Sequence, residues 1–136
     1  MAEPTFLDTN IVLRHLLADH LDHSPRATAL IHAIERGEVQ VRTADTVIFE
    51  VVFVLERTLK RPKSLIREGI ERLIQLPAVD LPGKHTVRRA LELYVDVNIP
   101  FADAYHAALM EDLNLTRVYS FDHHFPRLPG IERVEP

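Results

Sequence analysis

Apolar residues along this chain fall into two patterns that alternate with each other. Short apolar runs between turn-forming residues are typical of strands, whereas apolar residues three or four positions apart indicate amphipathic helices. The first pattern predicts strands at Thr5–Leu7, Val39–Arg42, Ala78–Leu81, Arg117–Ser120 and Ile131–Val134. The second predicts helices at Asn10–Ala18, Ser24–Ile34, Asp45–Lys60, Pro62–Leu76, Lys84–Val97 and Phe101–Leu113.

One of these segments, Val47–Leu55, fits both patterns. Its β-branched residues favour a strand, but its length and the following helix-forming stretch E-R-T-L-K favour a helix. We interpret it as part of a helix capped by Thr43 or Asp45. For the first helix we predict an N-cap at Thr9 or Asn10, because side chains of these types accept hydrogen bonds from the first turn.

The alternation of strands and helices predicts an α/β fold with a mainly parallel central sheet covered by helices on both faces. A chain of 136 residues that is 46% hydrophobic fits a single domain spanning 1–136. The chain lacks cysteine, which excludes a disulfide framework, a thiolate metal site and a cysteine nucleophile. It begins M-A-E-P, without a cationic region or long apolar span, so we expect a cytoplasmic protein with no membrane segment.

Four acidic residues lie in or beside apolar stretches, namely Asp8, Glu50, Asp103 and Asp122. A lone ionised carboxylate is costly to bury, so such residues are usually paired, protonated or bound to a cation. Two unit charges about 5 Å apart repel by roughly 3 kcal/mol at an effective dielectric of about 20, and a divalent cation relieves that repulsion. Mg²⁺ or Mn²⁺ suits a site made of oxygen ligands.

The predicted topology gives these acids a way to meet. Asp8 and Asp122 follow strands, and ligands of parallel sheets bind outside the carboxyl ends of the strands. Asp103 opens a helix, and Glu50 lies about two turns into another, so one pocket could collect all four. Structural roles remain open: Asp8 as an N-cap, Asp103 as a charge at a helix N-terminus, Asp122 as a turn residue, and Glu50 as a solvent-facing residue.

Other polar residues give weaker signals. Asn10 and Ser120 could orient ligands or waters, although capping and strand-end hydrogen bonds are the alternative. Histidines near the acids have open roles; they are His106, His123 and His124. The chain has neither an H-E-x-x-H motif, a G-x-S-x-G elbow nor a Gly-rich phosphate loop, which argues against a zinc hydrolase, a serine hydrolase and a phosphate-loop enzyme.

The net charge of −4 argues against a surface coated with basic charge for nonspecific nucleic-acid binding, although a local basic patch could still bind RNA. For each candidate residue the alternative is an ordinary solvated helix face. The candidates are Lys60, Arg61, Lys63, Arg67, Arg88 and Arg89.

Four segments of the chain resemble the PIN-domain family, and most closely its VapC-type toxin ribonucleases. They are L-D-T-N-I-V-L-R-H-L-L, F-E-V-V-F-V-L, F-A-D-A-Y-H-A-A-L and V-Y-S-F-D-H-H-F. Their order and spacing span almost the whole chain. The resemblance implies a three-layer α/β/α sandwich and a Mg²⁺- or Mn²⁺-dependent endoribonuclease. It assigns the catalytic and metal-binding roles to Asp8, Glu50, Asp103 and Asp122, and supporting polar positions to Asn10 and Ser120.

The same resemblance implies a partner, a VapB-type antitoxin that wraps the toxin and can insert a basic side chain into the acidic pocket. It also implies a homodimer, to which the helix Pro62–Leu76 could contribute if its apolar residues are not buried within one chain. Three other functions stay open: an RNA-processing nuclease without an antitoxin, a catalytically silent domain that binds RNA or protein, and a hydrolase of small phosphoesters.

Overall fold

The computed structural model describes residues 3–123 and 125–136, and the chain divides into two compact units, Met1–Lys84 and His85–Pro136. The described residues form α1 (Thr9–Leu17), α2 (His23–Glu35), α3 (Asp45–Phe53), α4 (Lys63–Ile74), α5 (Lys84–Asp96) and α6 (Phe101–Leu113). The strands are β1 (Thr5–Phe6), β2 (Val41–Arg42), β3 (Val79–Asp80), β4 (Arg117–Tyr119) and β5 (Glu132–Val134).

Each unit contains a sheet in which the strands pair in parallel. The first has the order β1-β2-β3, and Val41 of the middle strand lies opposite Thr5 and Val79. The second pairs β4 with β5, with Val118 opposite Arg133. Parallel strands alternating with helices confirm the predicted α/β fold, although every strand is only two or three residues long.

The first strand is shorter than the predicted Thr5–Leu7, since it ends at Phe6. Both residues of β1 are exposed, Phe6 by 55%, and burial begins only at Leu7. Among the described residues, β1 lies at the edge of its sheet and pairs with β2. Leu7 is fixed by the neighbouring strand, since its N–H donates to the carbonyl of Arg42 at 2.7 Å.

The segment that fitted both patterns is helical, as predicted. In α3 the residues Val47, Ile48, Val51 and Val52 are buried, so the β-branched side chains face the core at helical spacing. Beyond Phe53 the helix widens into a π-helical turn that ends at Thr58. The predicted caps are wrong: Ala44 is the N-cap residue and no side chain caps α3.

The apolar residues of α4 are largely used within the chain. Ile66, Ile70, Leu73 and Ile74 are buried, whereas Leu65 is 55% exposed. This helix therefore supports the alternative of burial within one chain, rather than an apolar surface reserved for a dimer. None of the helices in the described part of the chain is both long and apolar enough to cross a bilayer.

A histidine links α1 to α2. His15 is half-buried, and its Nδ1 lies 2.9 Å from Oγ1 of Thr28. Burial lowers the pKa of His15 below its ordinary value of 6.5; His32 lowers it further, and Glu35 opposes the shift. The folded protein therefore favours the neutral imidazole, whose hydrogen bond to Thr28 helps to join the two helices.

Replacing His15 by glutamine is expected to reduce the acid sensitivity of the fold. Because the folded-state pKa is lowered, His15 makes its full contribution to stability above about pH 6.5, and loses it as the pH falls through the folded-state value. Urea unfolding at about pH 7 and about pH 5 should show a smaller loss of unfolding free energy for His15→Gln than for the wild type. Equal losses in both proteins would contradict this role.

Candidate active site

The start of α6 places Asp103. Pro100 is the N-cap residue of this helix, and its carbonyl accepts the N–H of Ala104 at 3.0 Å. Phe101 is buried and contacts the ring of Tyr94 edge-on, with a centroid distance of 5.5 Å. Asp103 lies in the first turn and is half-buried. The helix dipole favours a negative charge there, and the buried aromatic pair holds the turn in position.

The turn after β4 places Asp122. Ser120 is held by its backbone, since its N–H donates to the carbonyl of Val134 at 3.1 Å and its own carbonyl accepts from Nη1 of Arg133 at 3.0 Å. The hydroxyl oxygen of Ser120 accepts the N–H of Asp122 at 2.9 Å. A serine side chain that bonds the backbone two residues on is a common turn device. Asp122 is half-buried at the end of this turn.

These two turns meet on one cavity of about 390 Å³ in the second unit. Its polar wall contains Asp103, His106, Ser120 and Asp122. The rest of the wall is apolar and comprises Leu109, Met110, Leu113, Leu115, Val118, Tyr119 and Phe125. The structure therefore brings together two of the four predicted acids, one of the two predicted supporting residues and one of the three histidines.

Of the other two histidines, the structure describes only His123. His123 is exposed and is not among the residues that line the cavity. His124 lies outside the described residues. His106 follows Asp103 by one helical turn on α6, which explains why both face the same space.

In the first unit, Asp8 is the N-cap residue of α1, which was the alternative left open for it, and the prediction of Thr9 or Asn10 is wrong. Its backbone is extended (φ −91°, ψ 163°), but its side chain makes no capping hydrogen bond. The Asp8 carboxylate is exposed. Capping therefore does not account for this acid, and its carboxylate oxygens are available for another role.

Glu50 lies on α3 and is exposed, while the next two residues, Val51 and Val52, are buried. Glu50 and Asp8 are both exposed, so neither carboxylate pays the cost of burial for which it was selected. The reason is helical phase, because a residue in an apolar run can still project from the solvent side of the helix. The solvent-facing alternative describes the position of Glu50 in the first unit.

Asn10 also belongs to the first unit and is exposed. It lines a cavity of about 570 Å³ formed by α1 and α2, together with Arg14, His23 and Arg26. Thr43, which was expected as a helix cap, instead donates its hydroxyl to the carbonyl of Leu7 at 2.9 Å and so fixes the backbone just before Asp8. Whether all four acids share one pocket stays a prediction.

The side chains on the second unit's cavity fit a hard divalent cation. Asp103, Ser120 and Asp122 offer only oxygen atoms, which are the ligands that Mg²⁺ and Mn²⁺ prefer. Within residues 3–123 and 125–136, neither unit assembles three or more histidine, aspartate or glutamate side chains as a group that could hold a metal ion. Mg²⁺ needs only one or two direct carboxylates, because waters complete its octahedral shell.

Arg133 supports this site, although it was not among the candidate residues chosen from the sequence. Its side chain is only 17% exposed, and it donates both to the Ser120 carbonyl and, at 2.6 Å, to Glu135. The hydrogen bond from Arg133 lowers the pKa of the Glu135 carboxyl. The signal available in the sequence was an arginine inside the predicted strand Ile131–Val134, where a charged side chain needs a partner.

Replacing Arg133 by methionine is expected to lower the unfolding free energy by about 1.5 kcal/mol, the lower end of the range for a hydrogen bond made by a charged group. The lower end applies because Nε of Arg133 is buried with no hydrogen-bond partner in the described part of the chain, so its removal offsets part of the loss. Urea unfolding measures the effect. Glu135→Gln, which keeps the bond to Ser120, is the control and should change little; equal losses in the two variants would contradict this assignment.

Comparison with known protein families shows to which family the chain belongs. The PIN-domain sequence profile matches residues 5–131. The chain belongs to the PIN-domain family. A comparison with curated proteins found no match. PIN domains are in general nucleases, so family membership indicates a nuclease.

Proposed function

We propose that this PIN domain is a Mg²⁺- or Mn²⁺-dependent endoribonuclease and the toxin of a VapBC-type toxin–antitoxin pair. The observation that supports the proposal most strongly is the cavity of the second unit, where two half-buried carboxylates share a wall with a serine hydroxyl. A module that only bound RNA would gain nothing from negative charge at a place where phosphate must lie. Family membership supports nuclease activity, and the resemblance to VapC-type proteins supports the toxin role.

In the proposed mechanism, Asp103 and Asp122 would hold the cation, because both line the same cavity. Ser120 keeps Asp122 in place through the hydrogen bond to its N–H. By the family resemblance, Asp8 would also hold the cation, and Glu50 would either ligate it or orient the attacking water. A bound divalent ion would supply stabilisation of negative charge on the phosphate and would lower the pKa of a water. In-line attack on the phosphodiester then leaves a 5′-phosphate and a 3′-hydroxyl.

The RNA backbone needs cationic contacts, because the site itself is acidic. The basic residues suggested by the sequence are partly engaged: Arg89 bonds Glu111 and Glu92, and Arg67 lies 4.0 Å from Glu71. We assign phosphate contacts instead to Arg14 and Arg26, which line the cavity that contains Asn10. Among the described residues, Arg14 pairs with Asp19 and Arg26 with Asp22, and both pairs are exposed, so phosphate can displace them at little cost.

The toxin role places the protein in the cytoplasm, where cellular RNA and a VapB-type antitoxin are found. The antitoxin and a homodimer are both parts of this proposal. Expression of the chain with its neighbouring genes should yield a copurifying small protein that inhibits RNA cleavage. A chain that purifies alone, cleaves RNA and is harmless when expressed would instead support an RNA-processing PIN nuclease.

Cleavage of structured RNA by the purified protein tests the enzymatic proposal. We expect cleavage with Mg²⁺ or Mn²⁺, loss of cleavage in EDTA and recovery when excess Mg²⁺ is restored. Sequencing both ends of the fragments should give 5′-phosphates and 3′-hydroxyls. Cleavage that survives thorough chelation would overturn the metal-dependent mechanism, and RNA binding without cleavage under any metal would support the silent alternative.

A further inference from the structure

Large apolar side chains are exposed on the same cavity that holds the two carboxylates. Tyr119 is 77% exposed, Leu113 58% and Leu115 53%, and all three line the cavity with Asp103 and Asp122. Single exposed apolar side chains are common on protein surfaces, but a concave apolar wall beside a few polar groups is typical of a ligand site. The metal-dependent mechanism uses only the acidic wall and leaves this apolar wall without a role.

We infer that the apolar wall binds an unpaired nucleobase of the RNA substrate, stacked on Tyr119. The inference rests on the proposed function and names a binding residue for it. A nucleotide carries an anionic phosphate next to a flat apolar ring, so one nucleotide matches both walls of a cavity of about 390 Å³. Proteins that read single-stranded RNA commonly stack its bases on aromatic side chains.

The backbone around Tyr119 is fixed in place, which suits a stacking platform. Tyr119 pairs with Val134 in the parallel sheet of the second unit. The next residue, Ser120, is held by hydrogen bonds to Val134, Arg133 and Asp122. Because the backbone is already ordered and a tyrosine has few side-chain torsions, binding a base costs little conformational entropy at this position.

The position of Tyr119 relative to the acids also argues for a base rather than for another protein. Asp122 follows Tyr119 by only three residues in the sequence. A base stacked on Tyr119 therefore belongs to a nucleotide close to the phosphate that the acids engage. A second copy of the chain would cover the apolar wall but would leave the acids without a cation-bound phosphate. Pairing the base in a duplex would hide its face, so the nucleotide must be unpaired.

The first test measures affinity for a fluorescently labelled single-stranded oligoribonucleotide by anisotropy, in an Asp103→Asn background that preserves the probe. Tyr119→Ala should weaken binding roughly 5- to 150-fold, the range for loss of one base–aromatic stack. Tyr119→Phe should bind like the parent protein. Phe121→Ala is the matched control, because Phe121 is 71% exposed and is not among the residues lining the cavity.

The second test uses oligoribonucleotides that lack the base at one position at a time. One abasic position should weaken binding as much as Tyr119→Ala does, and should cause no further loss in the Tyr119→Ala protein. Equal affinities of Tyr119→Ala and Phe121→Ala would overturn the inference. So would an oligomeric state changed by Tyr119→Ala with RNA affinity unchanged, because the wall would then be an interface between copies.

Failure of the inference and failure of the proposed function give different results. If the wild type cleaves RNA and Tyr119→Ala cleaves and binds equally well, only the stacking role is refuted. If the wild type never cleaves RNA but its binding depends on Tyr119 and on one base, the nuclease proposal fails and the stacking role stands.

Discussion

Asp103→Asn is expected to lower kcat for RNA cleavage by roughly 100- to 1,000-fold, the scale observed when one preorganised electrostatic group is removed from an active site. Asparagine has nearly the same shape as aspartate, so the half-buried position at the start of α6 can accept it without repacking. The substitution removes one negative charge from the cavity wall. The cation is then held less tightly, and the phosphate loses part of the charge stabilisation that the site provides.

Asp122→Asn should have an effect of similar size, because Asp122 lines the same cavity. Glu111→Gln is the control: Glu111 lies on α6 about two turns beyond Asp103, bonds Arg89, and is not among the cavity-lining residues. Single-turnover assays should show slower cleavage for both asparagine variants, and calorimetric titration of Mn²⁺ should show weaker metal binding. Glu111→Gln should change neither. Normal turnover in both would contradict the assignment of these acids.

The double variant separates a shared role from two independent ones. If Asp103 and Asp122 act on one ion, the loss from both substitutions together should be far smaller than the product of the single losses, because residues that act as a unit are not additive. A product of the single losses would place the two carboxylates in separate roles. Urea unfolding of the same variants should show a folded protein with little change in stability, which ties the loss to the chemistry.

Local sequence signals were sufficient for most elements of the fold. Helix α6 runs from Phe101 to Leu113 as predicted, because Pro100 cannot continue a preceding helix and Asn114 ends this one in the left-handed conformation. The segment of α3 was assigned correctly from its length, although its β-branched residues favoured a strand. Caps were predicted less well: Thr43 has the right chemistry for a cap, but it bonds the Leu7 carbonyl, 36 residues away in the sequence.

Only the features of the site that depend on residue type and on order along the chain could be predicted from the sequence. The S-F-D segment and the acid at the start of α6 were recognisable, and the structure places Ser120, Asp122 and Asp103 on one cavity. The exposure of Glu50 depended on helical phase, which a continuous apolar run conceals. Arg133 and Tyr119 were missed because their roles come from the pairing of β4 with β5, and no local pattern specifies the register of two separated strands.

The second prediction with a large expected effect concerns the aromatic pair of Tyr94 and Phe101 at the start of α6. Phe101→Ala should lower the unfolding free energy by about 3 to 5 kcal/mol, the usual cost of truncating a buried phenylalanine. Phe101 is 5% exposed and meets the ring of Tyr94, which is fully buried, at an interplanar angle of 90°. Alanine would leave a cavity and remove the edge-to-face contact. Because a typical domain is stable by only about 5 to 15 kcal/mol, this loss is a large share of the total.

Phe121→Ala is the matched control for this prediction, since it makes the same substitution at a side chain that is 71% exposed. Its unfolding free energy should change by no more than about 0.5 kcal/mol. Urea unfolding followed by circular dichroism gives both values. The milder variant Phe101→Leu keeps the protein folded and tests the link to function: Asp103 lies two residues after Phe101, so an altered first turn should lower kcat even where the fold survives. Equal stability losses for Phe101→Ala and Phe121→Ala would show that the aromatic pair does not anchor the helix that carries Asp103.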